Sequence, residues 1–196
     1  MIIKLPKITL TIVLIGFSLF SIPAQAASSS FFVDWSGASH LNTAQASAVL
    51  TVNDALFSNA TGDSLLLPET EVIGFSLTVS GAGSGNGSFQ LSDFDAFSWS
   101  TGSAPLDLSQ ELVGQISFAG AGWGTVHNGS AGDFNLLSFN GIAPSAASAF
   151  TLSTRNGLNM NLVSFRPVPI PGALWMFGAG LAGLVTVRKG RKLVIS

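Results

Sequence analysis

The chain has 196 residues, with eight Lys and Arg against ten Asp and Glu, a formal net charge of −2, and no cysteine. Without cysteine, no disulfide framework or thiolate metal site can form, so any exported part must be held by its core. The charge is unevenly placed: two bases lie near the N-terminus, four near the C-terminus, and only Arg155 and Arg166 between them, where all ten acids fall. That middle region carries a net charge of about −8 and no lysine, which leaves no electrostatic footprint for nucleic acid.

Taken in order, the chain opens with Lys4 and Lys7, an apolar core over 8–22, and Ala24-Gln25-Ala26. A positive n-region, an apolar h-region and a small-x-small ending make a secretory signal peptide over 1–26, cut after Ala26. The partners this implies are a Sec translocon and signal peptidase. An uncleaved anchor is the competing reading, and Pro23 with the Ala-Gln-Ala ending argues against it.

Residues 27–166 form one domain, long enough for a real core. Its Phe, Leu, Val, Ile and Trp content separates it from a disordered chain despite the low charge. Residues 31–35 and 48–52 read as strands; 43–48 has the propensity of a helical turn. The clearest strand is 72–79, with Ile73, Phe75, Leu77 and Val79 on one face and Gly74, Ser76 and Thr78 on the other. A glycine-rich connection at 81–87 leads to further β-prone stretches at 89–92 and 94–99. Alternation marks 112–118 as another, with 123–127, 134–139, 149–154 and 158–165 following. Asn156-Gly157 predicts a hairpin with a type I′ turn. No segment keeps a 3.6-residue period over twelve residues. Eight or nine short strands predict an all-β fold, an antiparallel β-sandwich with a jelly roll as one form of it.

Side chains that carry chemistry are sparse in this domain. The glycine-rich loop lacks the Lys-Ser/Thr ending of a P-loop and lies between strands, so a plain hairpin loop competes with a phosphate cradle. Asp93, Asp95, Asp107 and Glu111 could offer oxygens to Ca²⁺, or simply face solvent at strand ends. His40 and His127 are the only histidines, too few for a zinc site without further ligands, and His127 is expected at solvent or a satisfied polar edge. No Gly-x-Ser-x-Gly elbow seats a nucleophile. A hydrolase is therefore a distant third reading, the domain is expected not to be an enzyme, and no catalytic, cofactor or metal residue is assigned. Trp35, Trp99 and Trp123 could stack on sugars if exposed, or fill the core. The first option makes the domain a carbohydrate-binding or adhesive module associated with exopolysaccharide.

The final segment, 167–192, is the most informative. Val168-Pro169-Ile170-Pro171 is followed by an uncharged run to Val187, and Arg188, Lys189, Arg191 and Lys192 end it. Eighteen residues from Ile170 span about 27 Å as a helix, enough for a hydrocarbon core of about 30 Å. One transmembrane helix is thus expected over 170–187, with Trp175 near the outer interface and the bases on the cytoplasmic side.

The three parts in this order resemble the PEP-CTERM sorting signal of Gram-negative bacteria, in its Val-Pro-Leu-Pro (VPLPA-CTERM) variant. The match covers about 25 residues, with Ile170 standing where Pro-Glu-Pro members have Glu and four residues following the bases. The resemblance implies recognition by an exosortase, an integral-membrane thiol protease or transpeptidase. It also implies transient anchoring in the inner membrane and delivery to the cell surface or extracellular matrix. The domain would then be a sorted surface or matrix protein, placed close to the membrane because only Arg166-Pro167 separates its last strand from the motif.

Overall fold

The computed structural model describes residues 28–58, 64–102, 105–116 and 120–169. In chain order the elements are β1 (Ser28–Ser36), β2 (Gln45–Asn53), a four-residue helix α1 (Ala55–Ser58), β3 (Ser64–Leu66), β4 (Val72–Ser80), β5 (Gly87–Gln90), β6 (Ala96–Ser100), β7 (Asp133–Leu137), β8 (Ser145–Ser148), β9 (Thr151–Ser153) and β10 (Asn159–Pro167). The fold is all-β. Every paired strand is antiparallel, in a seven-stranded sheet ordered β5-β4-β2-β1-β10-β9-β8 and a three-stranded sheet ordered β3-β6-β7.

Alternation explains the large sheet. Successive strand residues point to opposite faces, so Phe31, Val33 and Trp35 of β1 and Ala46, Ala48, Leu50 and Val52 of β2 are buried, while Ser47 and Val49 face outward. β2 begins at Gln45, so burying Ala46 and Ala48 overrides the helical propensity of 43–48. The large sheet curls until β8 lies beside β7, and the Ser138 N–H donates to Ser145 Oγ across that seam at 3.1 Å. The two sheets share one core. Trp35 stacks on Phe134 of β7 at 5.8 Å, and Phe165 of β10 meets Phe134 edge-on at 4.9 Å.

Three register shifts interrupt the ladders, one of them between β8 and β9 at Ala146 and Ser148, and the other two change how side chains face. Thr51 opposes Gly74 and Val52 opposes Val72, leaving Ile73 as an extra residue on β4. Ile73 is therefore 55% exposed and Val72 takes the buried place, which corrects the facing expected from alternation alone. A second register shift beside Asp34 and Trp35 leaves Val163 of β10 unpaired and turned outward.

Two expected strands are not strands. Residues 112–116 leave the sheets after Leu112, whose N–H donates to Phe165 O, and turn at Gly114 (φ +93°). They then meet 122–123 in a short loop closed by Gly114 N–H to Trp123 O and Trp123 N–H to Gln115 O. Residues 123–127 turn again at Gly124 (φ +75°). A positive φ is incompatible with an extended strand, so apolar alternation at these two places has a different cause.

The hairpin between β9 and β10 forms where expected, with a different turn. Gly157 alone of its residues has positive φ (+82°), the Gly157 N–H donates to Thr154 O, and Thr154 N–H donates to Leu158 O. This is a type I turn followed by a left-handed glycine, a three-residue loop with a G1 bulge. Asn156 is left free to reach sideways, and its Nδ2 donates to Ala82 O of the glycine-rich connection at 2.8 Å.

Candidate functional site

The first and last strands of the large sheet are neighbours, so the start of the domain and the start of the Val168-Pro169-Ile170-Pro171 motif lie at one end of the molecule. Phe31 opposes Pro167, and one step further the Val168 N–H donates to Ser30 O at 2.8 Å. Pro169 has no N–H to donate, so the ladder stops there. Val168 is half-buried and Pro169 exposed; both line a groove of about 740 Å³ with residues 28–30, Asp54 and Leu108. The β1 side of this groove is firmly tied. Ser29 Oγ donates to Asp54 Oδ1 at 2.7 Å, and the Ser30 and Thr51 hydroxyls are hydrogen-bonded to each other at 2.9 Å, either able to donate. Ile170, Pro171, Trp175, Arg188, Lys189, Arg191 and Lys192 lie outside the described residues, as do Ala24 and Ala26 of the signal cleavage site. No helix among the described residues is long and apolar enough to cross a membrane, and the span expected at 170–187 falls outside them.

The acids considered for Ca²⁺ serve separate loops. Asp93 Oδ2 accepts from Gln90 N–H (2.7 Å), and Asp95 Oδ2 accepts from Phe139 N–H (2.6 Å). Asp107 accepts from the hydroxyl and the N–H of Ser109, which hold its carboxyl below the ordinary value. Glu111 Oε1 accepts from Phe165 N–H and Oε2 from Ser164 Oγ, both at 2.6 Å, binding its loop to β10. Among the described residues, no three His, Cys, Asp or Glu side chains come together as a metal group.

A carboxylate that sequence reading passed over is the one most shaped by its surroundings. Asp133 sits at the start of β7; burial raises its pKa, against the opposing pull of donors from Ser98, Phe134, Phe150 and Asn135. Ser98 and Asn135 are themselves buried on the polar face of the three-stranded sheet. Only the strand pairing Ser98↔Asn135, absent from any sequence motif, assembles this cluster.

The two histidines, 87 positions apart in the chain, have different surroundings. His40 Nε2 bonds to Asn161 Oδ1 at 2.8 Å, whereas His127 Nε2 is buried with no hydrogen-bond partner. His127 is half-buried with its Nε2 turned inward, so that nitrogen is not at a satisfied polar edge. Burial first, and then repulsion from His40, lower its pKa below the ordinary 6.5. The unfolded chain then binds the proton more readily, so stability is full above pH 6.5 and is lost as pH falls from there through the folded value. In urea titrations, the wild-type midpoint is expected to drop between pH 7.5 and 5.5 by more than that of His127→Gln. Equal drops in the two proteins would exclude His127 as the cause.

The tryptophans are core residues. Trp35 is 3%, Trp99 2% and Trp123 0% exposed. Among the described residues no indole presents a face to a sugar, so of the two readings of these residues the core one holds. The outer face of the large sheet instead carries Phe32, with the Arg166 guanidinium 5.6 Å above its ring and held by Asp34 at 2.9 Å. The glycine-rich loop is no phosphate cradle: the N–H groups of Ala82, Gly85 and Asn86 all donate within the loop itself. No protein-family model matches the chain, and neither the curated proteins nor the solved structures contain a significant match to it.

Proposed function

We propose that this chain is an exported surface or matrix protein, sorted by an exosortase through its C-terminal tripartite signal. The observation that carries the proposal is continuity: β10 runs with no linker into Val168-Pro169-Ile170-Pro171, which an apolar run and four bases follow. Prolines fix φ and block strand or helix continuation. The motif is thereby offered as extended chain between a folded domain and the bilayer. The apolar run sets its depth and the bases set its orientation. The partners in this reading are the Sec translocon, signal peptidase, the membrane and the exosortase.

The domain is the cargo, and no catalytic role is assigned to it. Two antiparallel sheets sharing one aromatic core support reading it as a β-sandwich. A seven-against-three division of strands lacks the matched sheets of a jelly roll, so we keep the general form. The exopolysaccharide-binding alternative has lost its indoles to the core and is not carried further.

The test is Pro169→Ala with Pro171→Ala in cells that process the parent chain. The expected result is that the full-length, membrane-bound form becomes the major species. Intact mass should give the parent a start near Ala27 and an end around residues 165–172. Release of the double variant at the parental rate, or a parent still ending at Ser196, would remove the sorting reading.

A further inference from the structure

We infer that the domain's own N-terminal residues hold the sorting motif closed: residues 28–30 of β1 keep Val168 in the sheet, and the protease gains the motif only when this end of the ladder opens. The inference rests on the sorting reading and adds a control to it.

Only two residues of the four-residue motif, Val168 and Ile170, possess a backbone N–H, since the other two are prolines. The first of these N–H groups is already engaged by Ser30 O at 2.8 Å. A protease that takes an extended peptide commonly pairs with its main chain as an added strand would. It would have to compete with β1 for that same donor.

The surroundings decide which strand gives way. β1 is paired with β2 along its whole length, down to Ser28↔Asn53, and its first residues have the extra Ser29–Asp54 and Ser30–Thr51 bonds. The end of β10 has less support. β9 pairs only with Asn159, Met160 and Asn161, and the 111–112 loop makes its hydrogen bonds to Ser164 and Phe165. Opening therefore frees β10 from Pro167 onward while β1 stays in place. Ladder ends of one or two bonds open readily. When opening and closing outpace cutting, the processing rate follows the open population.

The test is a pulse-chase of the full-length chain in exosortase-bearing Gram-negative cells, following loss of the tail by mass. One variant deletes residues 27–30 and keeps 1–26, so that cleavage after Ala26 leaves Phe31 first, with no carbonyl ahead of it to accept from Val168. A second, Phe32→Cys with Arg166→Cys, joins directly opposed residues of β1 and β10 in a chain that has no other cysteine. The deletion should shorten the processing half-time about three- to tenfold, the effect of one or two net hydrogen bonds. The cross-link should lengthen it, and reductant should restore it. A processed parent together with an unchanged or slower deletion variant overturns the inference. So does a cross-link whose oxidised and reduced forms are cut alike, which decides the matter if the deletion variant is degraded. A parent that never loses its tail overturns the sorting reading as well, and the two failures are distinguishable in one experiment.

Discussion

Trp123→Ala is expected to destabilise the domain by about 3–5 kcal/mol, the range for removing a fully buried large aromatic. The indole is completely buried at the centre of an aromatic cluster. It meets Phe150 edge-on at 4.8 Å and Phe165 at 5.5 Å, and lies tilted against Trp99 at 5.2 Å. Such pairs each contribute about 0.5–1.5 kcal/mol beyond area burial. Its Nε1–H also donates to Ser100 O at 2.9 Å, so truncation removes the partner of that carbonyl. With a urea m-value of about 2 kcal/mol/M, the midpoint should fall by about 2 M. Phe139→Ala, at a side chain 68% exposed, should stay within about 0.5 kcal/mol and serves as the control. A sugar-stacking Trp123 would give the reverse pattern, lost retention on glycan with an unchanged midpoint, and that result would refute the core assignment.

This contrast shows where sequence reading succeeds and where it stops. Alternation located β4, whose one face lies on the core, and β-prone composition located parts of β1, β2 and β10; both are local properties. The same alternation at 112–118 arises otherwise: Leu112 is buried against the large sheet and Gly114 turns the chain away. A strand and a loop that buries one apolar side chain read alike over five residues. The bulge at Ile73 is invisible because it depends on the partner strand, where Thr51 and Val52 straddle it. Asn156-Gly157 signalled a hairpin correctly, but only Gly157 has a positive φ, and the bond from Asn156 to Ala82, 74 residues away, is a contact that the dipeptide does not encode. The tryptophans illustrate the general limit. Composition says that they are present, and only the approach of the two sheets says that they are inside. For the site, the motif was legible as a string, whereas its contact with Ser30 follows from β1 and β10 being neighbours, which no local pattern encodes.

Gly132→Ala should carry the second large effect, about 2–5 kcal/mol from two sources that can be separated. Gly132 has φ +104°, a region L-residues avoid, and this conformation alone costs about 1–2 kcal/mol. The added Cβ would also sit 2.5 Å from Ser100 O and 2.8 Å from Trp123 Cδ1 and Nε1. Forcing a methyl into such a packed site costs about 1–3 kcal/mol more. Gly157→Ala provides the reference, because Gly157 has a positive φ (+82°) with nothing within 4 Å of its Cβ position. It should lose only the conformational part, and the difference between the two midpoints reports the clash. Combining Gly132→Ala with Trp123→Phe then tests the contact directly, since a smaller ring relieves the indole side but leaves Ser100 O in place. The double variant should be less destabilised than the sum of the singles, as residues in contact are not additive. Strict additivity, or equal losses at Gly132 and Gly157, would mean that the indole does not pack against this turn. The aromatic centre that joins the two sheets would then have to be redrawn.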